Sequence, residues 1–433
     1  SGGASTLIIV RAVRRRSTTG VAVAAGRARL ACARPAGGAE TGARHHPVSR
    51  GRQKRSAAPP RRAAATASGR LGAALDELTD WSAANFAPPL RLATVLAAAA
   101  TVLRSWPLWQ VRELPPNLPL LPLPGLPLGA GLLAALAVCL WRPAAGLAAY
   151  LALFTYGVLT DQSRLQPQFL TFAFLLGATL PGASGLALAR FHLVLLWFYA
   201  GLHKLLSVDF MAQSDPYLLR TMVGLWSPAV RAVFPWLVVL SECGAALLAL
   251  APRGRRLAVA AAVVLHLGIL TTLVRAGYNA SVWPWNVLLA LAAVLLILPW
   301  RRTLGQEWRA ASRPLRLALV AMAVYPLTFY AGLADTYTAW SLYAANAPRG
   351  LVCDLSTAPP PARPGLGDEY VYNHRDGRFR CLRIELGDVL GAPLPPIHRL
   401  FRAYFERTCH DGEFLLILER RRGHRDPESA EQA

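Results

Sequence analysis

The chain has 433 residues, of which 54% are hydrophobic and 16% charged, and its mean hydropathy is +0.33. Ordinary soluble domains carry about 25% charged residues. Here the apolar residues collect in blocks of roughly 17–22, the length that crosses a bilayer core. This pattern excludes a single soluble globular enzyme and a fibrous chain, and six cysteines are too few for a disulfide scaffold. We therefore expect a polytopic membrane protein with a small soluble appendix.

The first 75 residues differ from the rest in charge. The net charge of the chain is +22, and residues 1–70 alone hold 15 basic residues against one acid, Glu40. An Arg- and Ala-rich stretch without periodicity predicts a disordered leader over 1–75. It suits either a transit peptide or a translated upstream region, and we expect no nucleic-acid partner.

Nine apolar blocks follow, and they predict an all-α bundle of about nine transmembrane helices over residues 88–335. The first block is the shortest. The fourth contains Pro181, Gly182 and Gly185, so it is expected to end early or kink. The blocks are 90–103, 125–141, 144–159, 169–188, 191–208, 233–251, 257–274, 280–300 and 315–333.

Arginines in the connecting loops predict the orientation. Ten lie in the loops after the second, fourth, sixth and eighth blocks, against five in the opposite set. The positive-inside rule then places the N-terminus in the cytoplasm and the C-terminus outside or in a lumen. The membrane is a bacterial inner membrane, or an organellar one if the leader is a transit peptide, and the bilayer itself is the first partner expected.

Residues 350–424 are polar and predict a small outer or lumenal α+β domain. A hairpin is expected from the strand-like runs 369–372 and 379–386, a short helix over 396–407 and a final strand over 413–419. For the domain's cysteines, Cys353, Cys381 and Cys409, two alternatives stand: one disulfide with one thiol left over, or three thiols. A protein partner could bind this domain.

Ionisable residues inside membrane helices are costly and indicate function. The chain has only two lysines, Lys54 and Lys204, against 44 arginines, so a lysine in an apolar helix suggests a task that arginine cannot do. A desolvated lysine can act as a general base. The candidate catalytic residues are therefore Lys204, His266 and Glu242.

Each of these residues also has a structural interpretation. Lys204 could snorkel to the interface, His266 could be a buried hydrogen-bonded histidine, and Glu242 could neutralise Lys204 or His266 as a structural pair. His203, next to Lys204, points about 100° away around the helix. No metal site is expected.

A polar, Trp-rich stretch opens the eighth block. Asn279, Trp283 and Trp285 lie at the expected outer interface, where tryptophans anchor helices. Two asparagines and a proline at that depth would also suit a break lined for a ligand.

Residues 198–205, Phe-Tyr-Ala-Gly-Leu-His-Lys-Leu, followed by Asp209 and Phe210, resemble the segment Y-F-I-A-G-x-K-K-L-D-x-D-W. That segment belongs to the vitamin K-dependent gamma-glutamyl carboxylases and their bacterial relatives, the HTTM (horizontally transferred transmembrane) family. The resemblance implies that Lys204 is the base that deprotonates a vitamin K hydroquinone. His266 matches the histidine of the family's F-H-C-M-N stretch. Reduced vitamin K or menaquinone is the cofactor implied.

The chain departs from that family at several positions. Gln168 stands where the family has a histidine, and His203 replaces the first lysine of its pair. The segment after Ala334 is too short to hold the family's large lumenal region, so we expect the fold and a quinol-like substrate rather than protein carboxylation. The candidate substrate-binding residues are His203, Gln168, Asn279, Trp283 and Trp285. The first two match positions of the family's motifs, and the last three lie in the predicted break that opens the eighth block.

Two functions from different classes remain. One is a membrane enzyme, carboxylase-like or quinol-dependent, in which Lys204 takes a proton from a lipid-soluble acid. The other is a non-catalytic membrane scaffold that binds a quinone or lipid, or a partner of a thiol–disulfide system of the DoxX or MauE type. The sequence G-x-x-K near the end of a helix is a weaker resemblance to proteins of that type.

Overall fold

The computed structural model describes residues 7–12, 67–207, 210–211, 227–344, 346–354, 366–374, 377–384, 386–409 and 414–419. Residues 1–14 and 76–433 form one compact unit and residues 15–75 a second, of which only 67–75 are described. Most of the leader predicted over 1–75 therefore lies outside the described residues.

Apolar helices make up the larger part of the described chain, and each predicted apolar block overlaps a described helix. Among the described residues, six helices are long and apolar enough to cross a membrane, or up to seven if α2 and the segment before it, which are bent by 82°, form one span. The predicted bundle of apolar helices is thus confirmed, and its helices are compatible with a multi-pass membrane protein. Nine spans are not, because α3 and α5 have only 13 and 12 residues. The helices are α1 (Ala67–Asn85), α2 (Ala87–Arg104), α3 (Gly129–Trp141), α4 (Pro143–Thr160), α5 (Pro167–Ala178), α6 (Ala183–Leu205), α7 (Pro228–Leu250), α8 (Arg255–Ala276), α9 (Trp283–Ala292, continued as a π-helix to Ile297), α10 (Leu304–Ala310) and α11 (Arg313–Val324, continued as a 3₁₀ helix to Ala331).

The fourth predicted block, 169–188, is not one helix. It is divided between α5, which ends at Ala178, and α6, which begins at Ala183. Pro181 cannot continue a helix, and Gly182 has a φ of +106°, which only glycine adopts readily. Gly185 allows the return, because a Cβ there would lie 2.2 Å from the Gly177 carbonyl oxygen.

The bundle has two chemically different ends. Short turns join α3 to α4, α5 to α6 and α7 to α8 at one end, which is rich in arginine and is called the basic end below. The longer connections lie at the other end, called the sheet end. There the Gln166 amide donates to the Pro393 carbonyl at 2.7 Å, and the Thr336 hydroxyl donates to the Pro396 carbonyl at 2.8 Å. The C-terminal segment is thus held directly against the bundle.

The C-terminal segment forms an antiparallel sheet in the order β1-β5-β2-β4-β3, with two helices, α12 (Gly387–Leu390) and α13 (His398–Thr408). The predicted hairpin is confirmed, because β3 pairs with β4 from His374 opposite Gly377 onward. The strand β5 and the helix α13 also match their predicted segments. The remaining strands are β1 (Leu7–Ala12), β2 (Arg349–Asp354), β3 (Leu366–His374), β4 (Gly377–Ile384) and β5 (Phe414–Glu419).

Strand β1 lies inside the segment that we expected to be disordered. It pairs with β5 along its whole length, from Leu7 opposite Glu419 to Ala12 opposite Phe414. The run Leu7–Val10 is apolar and partly β-branched, so it suits an extended conformation, and it covers a strand edge that would otherwise be open. The prediction of disorder is wrong for these six residues.

Two cysteines of this segment are described in different oxidation states. Cys353 forms a disulfide, whereas Cys409 keeps its thiol. In the β2–β4 register the backbone of Cys353 lies directly opposite that of Cys381. The alternative of three thiols is therefore excluded.

Candidate intramembrane site

Helix α6 carries polar side chains on two different faces. His192, Tyr199 and His203 are spaced by seven and four residues and share one face. Trp197 and Lys204, seven residues apart, share another face and contact α8 and α7 respectively. Two of the predicted site residues, His203 and Lys204, therefore lie on different faces of α6.

Lys204 is the centre of the second face. Its Nζ donates to both carboxylate oxygens of Glu242 on α7, at 2.8 and 2.9 Å, and to the Ala200 carbonyl at 3.3 Å. Both side chains are only 6% exposed. The predicted structural pairing of Lys204 with Glu242 is confirmed, and a snorkelling Lys204 is excluded because its ammonium is buried and bonded.

A close approach of α6 and α7 makes this pair possible. A Cβ at Gly201 would lie 2.5 Å from the Cys243 Sγ and 3.0 Å from the Cys243 backbone nitrogen. The Cys243 thiol in turn faces the Phe198 carbonyl at 3.6 Å. Only a glycine fits here, so the sequence Gly-Leu-His-Lys sets the distance between the two helices one turn away from the ion pair.

The surroundings of the pair are apolar. The Phe210 ring lies 6.0 Å from Nζ, within reach of a cation–π interaction. Two opposite charges withdrawn from water are stable only with good geometry, which the bidentate contact provides. In chemical terms the site holds one ammonium, one carboxylate and an aromatic face.

His266 on α8 is not part of this pair. Its Nε2 accepts from the Trp197 indole at 2.9 Å, and its Nδ1 lies 3.0 Å from Asn286 Oδ1. The Asn286 amide nitrogen donates to the Val282 carbonyl at 2.9 Å, so its oxygen must accept. This assigns a neutral imidazole with its proton on Nδ1, and both ring nitrogens are used. The interpretation of His266 as a hydrogen-bonded core histidine matches this arrangement.

His203 faces away from Lys204, as its position on the helix predicts. Its Nε2 donates to the Ala339 carbonyl at 2.9 Å, which leaves Nδ1 to accept from the Tyr330 hydroxyl at 2.7 Å. The Asn346 amide also reaches the His203 carbonyl at 3.4 Å. This histidine therefore holds the segment after α11 against α6.

Gln168 is the second residue of α5 and is fully buried. Among the described residues neither atom of its amide finds a hydrogen-bond partner. Three positions along the helix, Thr171 contacts His192 Nε2 at 3.0 Å. Gln168 thus shares a face of α5 with Thr171, and no described hydrogen bond joins it to Lys204.

Asn279 lies in the turn between α8 and α9, whereas Trp283 and Trp285 lie in the first turn of α9. Asn279 has a φ of 47° and donates to the Tyr343 hydroxyl at 3.1 Å. The Trp283 indole donates to the Tyr278 carbonyl at 3.0 Å, whereas the buried Trp285 indole finds no acceptor among the described residues. None of the three contacts Lys204 or Glu242 in the hydrogen bonds and ring contacts of the described chain.

A second buried charge cluster, at the sheet end, was not predicted. Asp161, which is fully buried, forms ion pairs with Arg112 and Arg164 and accepts from the Ser163 backbone and hydroxyl at 3.1 and 2.7 Å. Arg164 also donates to the Leu108 carbonyl at 2.9 Å. Burial lowers the pKa of the Arg164 guanidinium, and the Asp161 charge opposes that change. The cluster fixes the α4–α5 loop. The Asp-x-Ser spacing of a local side-chain turn was the available signal.

In the described part of the chain, no group of three or more His, Cys, Asp or Glu residues is placed to hold a metal ion. Comparison with known proteins finds no matching family model, no matching curated protein and no matching solved structure.

Proposed function

We propose that this chain is an integral membrane enzyme in which Lys204 takes a proton from a lipid-soluble acid of the quinol class. The observation that carries the proposal is the buried Lys204–Glu242 pair, formed by the only lysine of the membrane region. The likeness of residues 198–210 to the carboxylase and HTTM segment supports the same assignment.

The groups around the pair fit the head of a quinol. The Lys204 ammonium and the Glu242 carboxylate supply a donor and an acceptor, and Phe210 supplies an aromatic face. Reduced vitamin K or menaquinone, when bound, supplies an acidic hydroxyl. His203 and Asn279 bond to other segments, Gln168 makes no described hydrogen bond, and none of the three is needed for this contact.

Glu242 has a defined role in this chemistry. The Lys204 Nζ is charged while it is bonded to the carboxylate, so it holds no lone pair. Transfer of one proton from Nζ to Glu242 Oε gives a neutral amine beside a neutral acid. Burial disfavours this neutral pair less than it disfavours the ion pair. The amine lone pair can then accept the proton of the substrate hydroxyl at Nζ.

We also propose an orientation. Arginines concentrate at the basic end, which favours the cytoplasmic side. The Cys353 disulfide favours an oxidising compartment for the sheet end. Two independent features thus support an outer or lumenal sheet, and the protein partner of the chain would bind there.

A non-catalytic scaffold is the second candidate function. It is favoured by the closed, bidentate geometry of the Lys204–Glu242 pair and by the complete use of both ring nitrogens of His266 and of His203. In this case the pair joins α6 to α7, and the chain binds a quinone or lipid, or acts beside a thiol–disulfide system.

Substitution of Lys204 by arginine distinguishes the two candidates. Arginine keeps the positive charge but cannot lose its proton, so the enzyme hypothesis expects a folded protein whose quinol turnover falls about 10²–10⁴-fold. Reduced menaquinone or vitamin K is offered with oxygen in lipid nanodiscs, and epoxide or quinone is followed by mass spectrometry. Lys54→Arg serves as the control because Lys54 is the only other lysine. Full turnover by Lys204→Arg would sink the proposal.

A further inference from the structure

The basic end of the bundle carries an open apolar groove between α10 and the start of α11. The groove is shallow, has a volume of about 310 Å³ and is lined by Trp308, Arg313, Arg316, Leu317 and Val320. That volume lies at the lower end of the range for small-molecule sites, roughly 300–1,000 Å³, and suits a segment of an acyl chain.

Helix α11 turns an unusually large part of its surface outward. It is the least buried of the six candidate spans, with 17% of its apolar window buried. Leu317 is 71% exposed and Val320 47%. In a bilayer these side chains face lipid, so the groove opens toward acyl chains and not toward an aqueous compartment.

Helix α10 marks the level of the membrane interface. Leu304 and Trp308, four residues apart, are both exposed, whereas Glu307 points inward and accepts from the Trp300 indole at 2.8 Å. A short helix with an outward Leu–Trp stripe is typical of the headgroup region. The groove thus begins where phosphates lie and continues where acyl chains lie.

The rim of the groove is positively charged. Arg316 donates to the Trp308 carbonyl at 2.9 Å and to the Arg309 carbonyl at 3.1 Å, and its guanidinium lies 5.6 Å from the Trp308 ring. These contacts orient the guanidinium without neutralising it. Within the described residues, neither Arg313 nor Arg316 pairs with a carboxylate, and Glu307 of α10 pairs instead with Arg190 and Arg302.

We propose that this groove, between Trp308, Arg313, Arg316, Leu317 and Val320, binds one phospholipid with an anionic headgroup. The two guanidinium groups contact the headgroup, and one acyl chain lies along Leu317 and Val320. Charge complementarity selects anionic over zwitterionic lipid, since each basic residue near a membrane surface favours an anionic lipid. The site is separate from the Lys204–Glu242 pair and does not depend on quinol chemistry.

Native mass spectrometry of the full chain in detergent tests this proposal. The protein is offered an equimolar mixture of phosphatidylglycerol and phosphatidylcholine with the same acyl chains. We expect one phosphatidylglycerol to be retained in preference to phosphatidylcholine. In Arg313→Gln/Arg316→Gln its apparent affinity falls on the order of tenfold or more, whereas Arg313→Lys/Arg316→Lys restores most of it.

The matched control removes the same charge from the same end. Arg142 and Arg253 are exposed in the loops of the basic end but do not line the groove. If Arg142→Gln/Arg253→Gln lost phosphatidylglycerol equally, the effect would come from the diffuse charge of that end and the proposal would be wrong. Equal retention of the two lipids, or displacement of the lipid by soluble glycerol phosphate, would also overturn it.

Discussion

Breaking the Lys204–Glu242 pair on one side only is the most informative perturbation of the fold. The pair has two hydrogen bonds of 2.8 and 2.9 Å, and each side chain is 6% exposed. Lys204→Met leaves a buried carboxylate without its cation, and Glu242→Gln leaves a buried ammonium without its anion. Removal of one partner from a buried ion pair costs about 3–5 kcal/mol of unfolding free energy.

The double variant is expected to be more stable than either single variant. With both charges gone, no uncompensated charge remains inside the bundle, so the interaction energy between the two sites should be at least about 3 kcal/mol. Reversible unfolding in mixed detergent micelles, followed by tryptophan fluorescence, measures all four corners of the cycle. Ser241→Ala is the control, because the Ser241 hydroxyl donates only to Val238 within its own helix. Additive losses at Lys204 and Glu242 would refute the argument.

Three further predictions concern other parts of the molecule. Gly201→Ala forces α6 away from α7 and should cost about 1–3 kcal/mol of unfolding free energy, whereas Gly244→Ala, whose Cβ meets nothing within 4 Å, should be neutral or slightly stabilising in the same assay. Cys353→Ser should lower the stability of the sheet by about 2–4 kcal/mol. In unfolded wild-type protein, a maleimide should label Cys409 without reductant and Cys353 only after reduction. Labelling of Cys353 before reduction would contradict the assignment of its disulfide. Asp161→Asn leaves two buried guanidinium groups without their shared carboxylate, and a loss of about 3–5 kcal/mol is expected; an unchanged midpoint of thermal unfolding would count against the cluster.

Local pattern was sufficient for the membrane helices and for the hairpin. A long apolar run can only be buried or face lipid, so 233–251 and 257–274 are recognisable without any tertiary information. The break between α5 and α6 could also be predicted, since Pro181-Gly182 is a turn signal inside the otherwise apolar block 169–188.

Pairings between distant segments were much harder to predict. The Lys204–Glu242 pair was accessible, because two opposite charges in neighbouring apolar helices have few other ways to be neutralised. The partners of His266 were not, because tryptophan and asparagine are common at membrane interfaces and nothing local assigns Trp197 and Asn286 to this ring.

The strand β1 shows the same limit. Its six residues pair with β5, roughly 400 residues away, and the Arg-rich composition around them favoured disorder. A short apolar, β-branched run was the local signal, but it does not say which edge it will cover.

The central claim is that the amine of Lys204 does chemistry at its own position and is more than a charge that joins α6 to α7. The exchange variant Lys204→Glu/Glu242→Lys keeps a buried ion pair but moves the amine from α6 to α7. Quinol turnover in nanodiscs is compared for wild type, this exchange variant and Lys204→Arg, each checked for folding by circular dichroism. The account predicts product from wild type alone. Wild-type turnover by either folded variant, or no product from the folded wild-type protein, would contradict it.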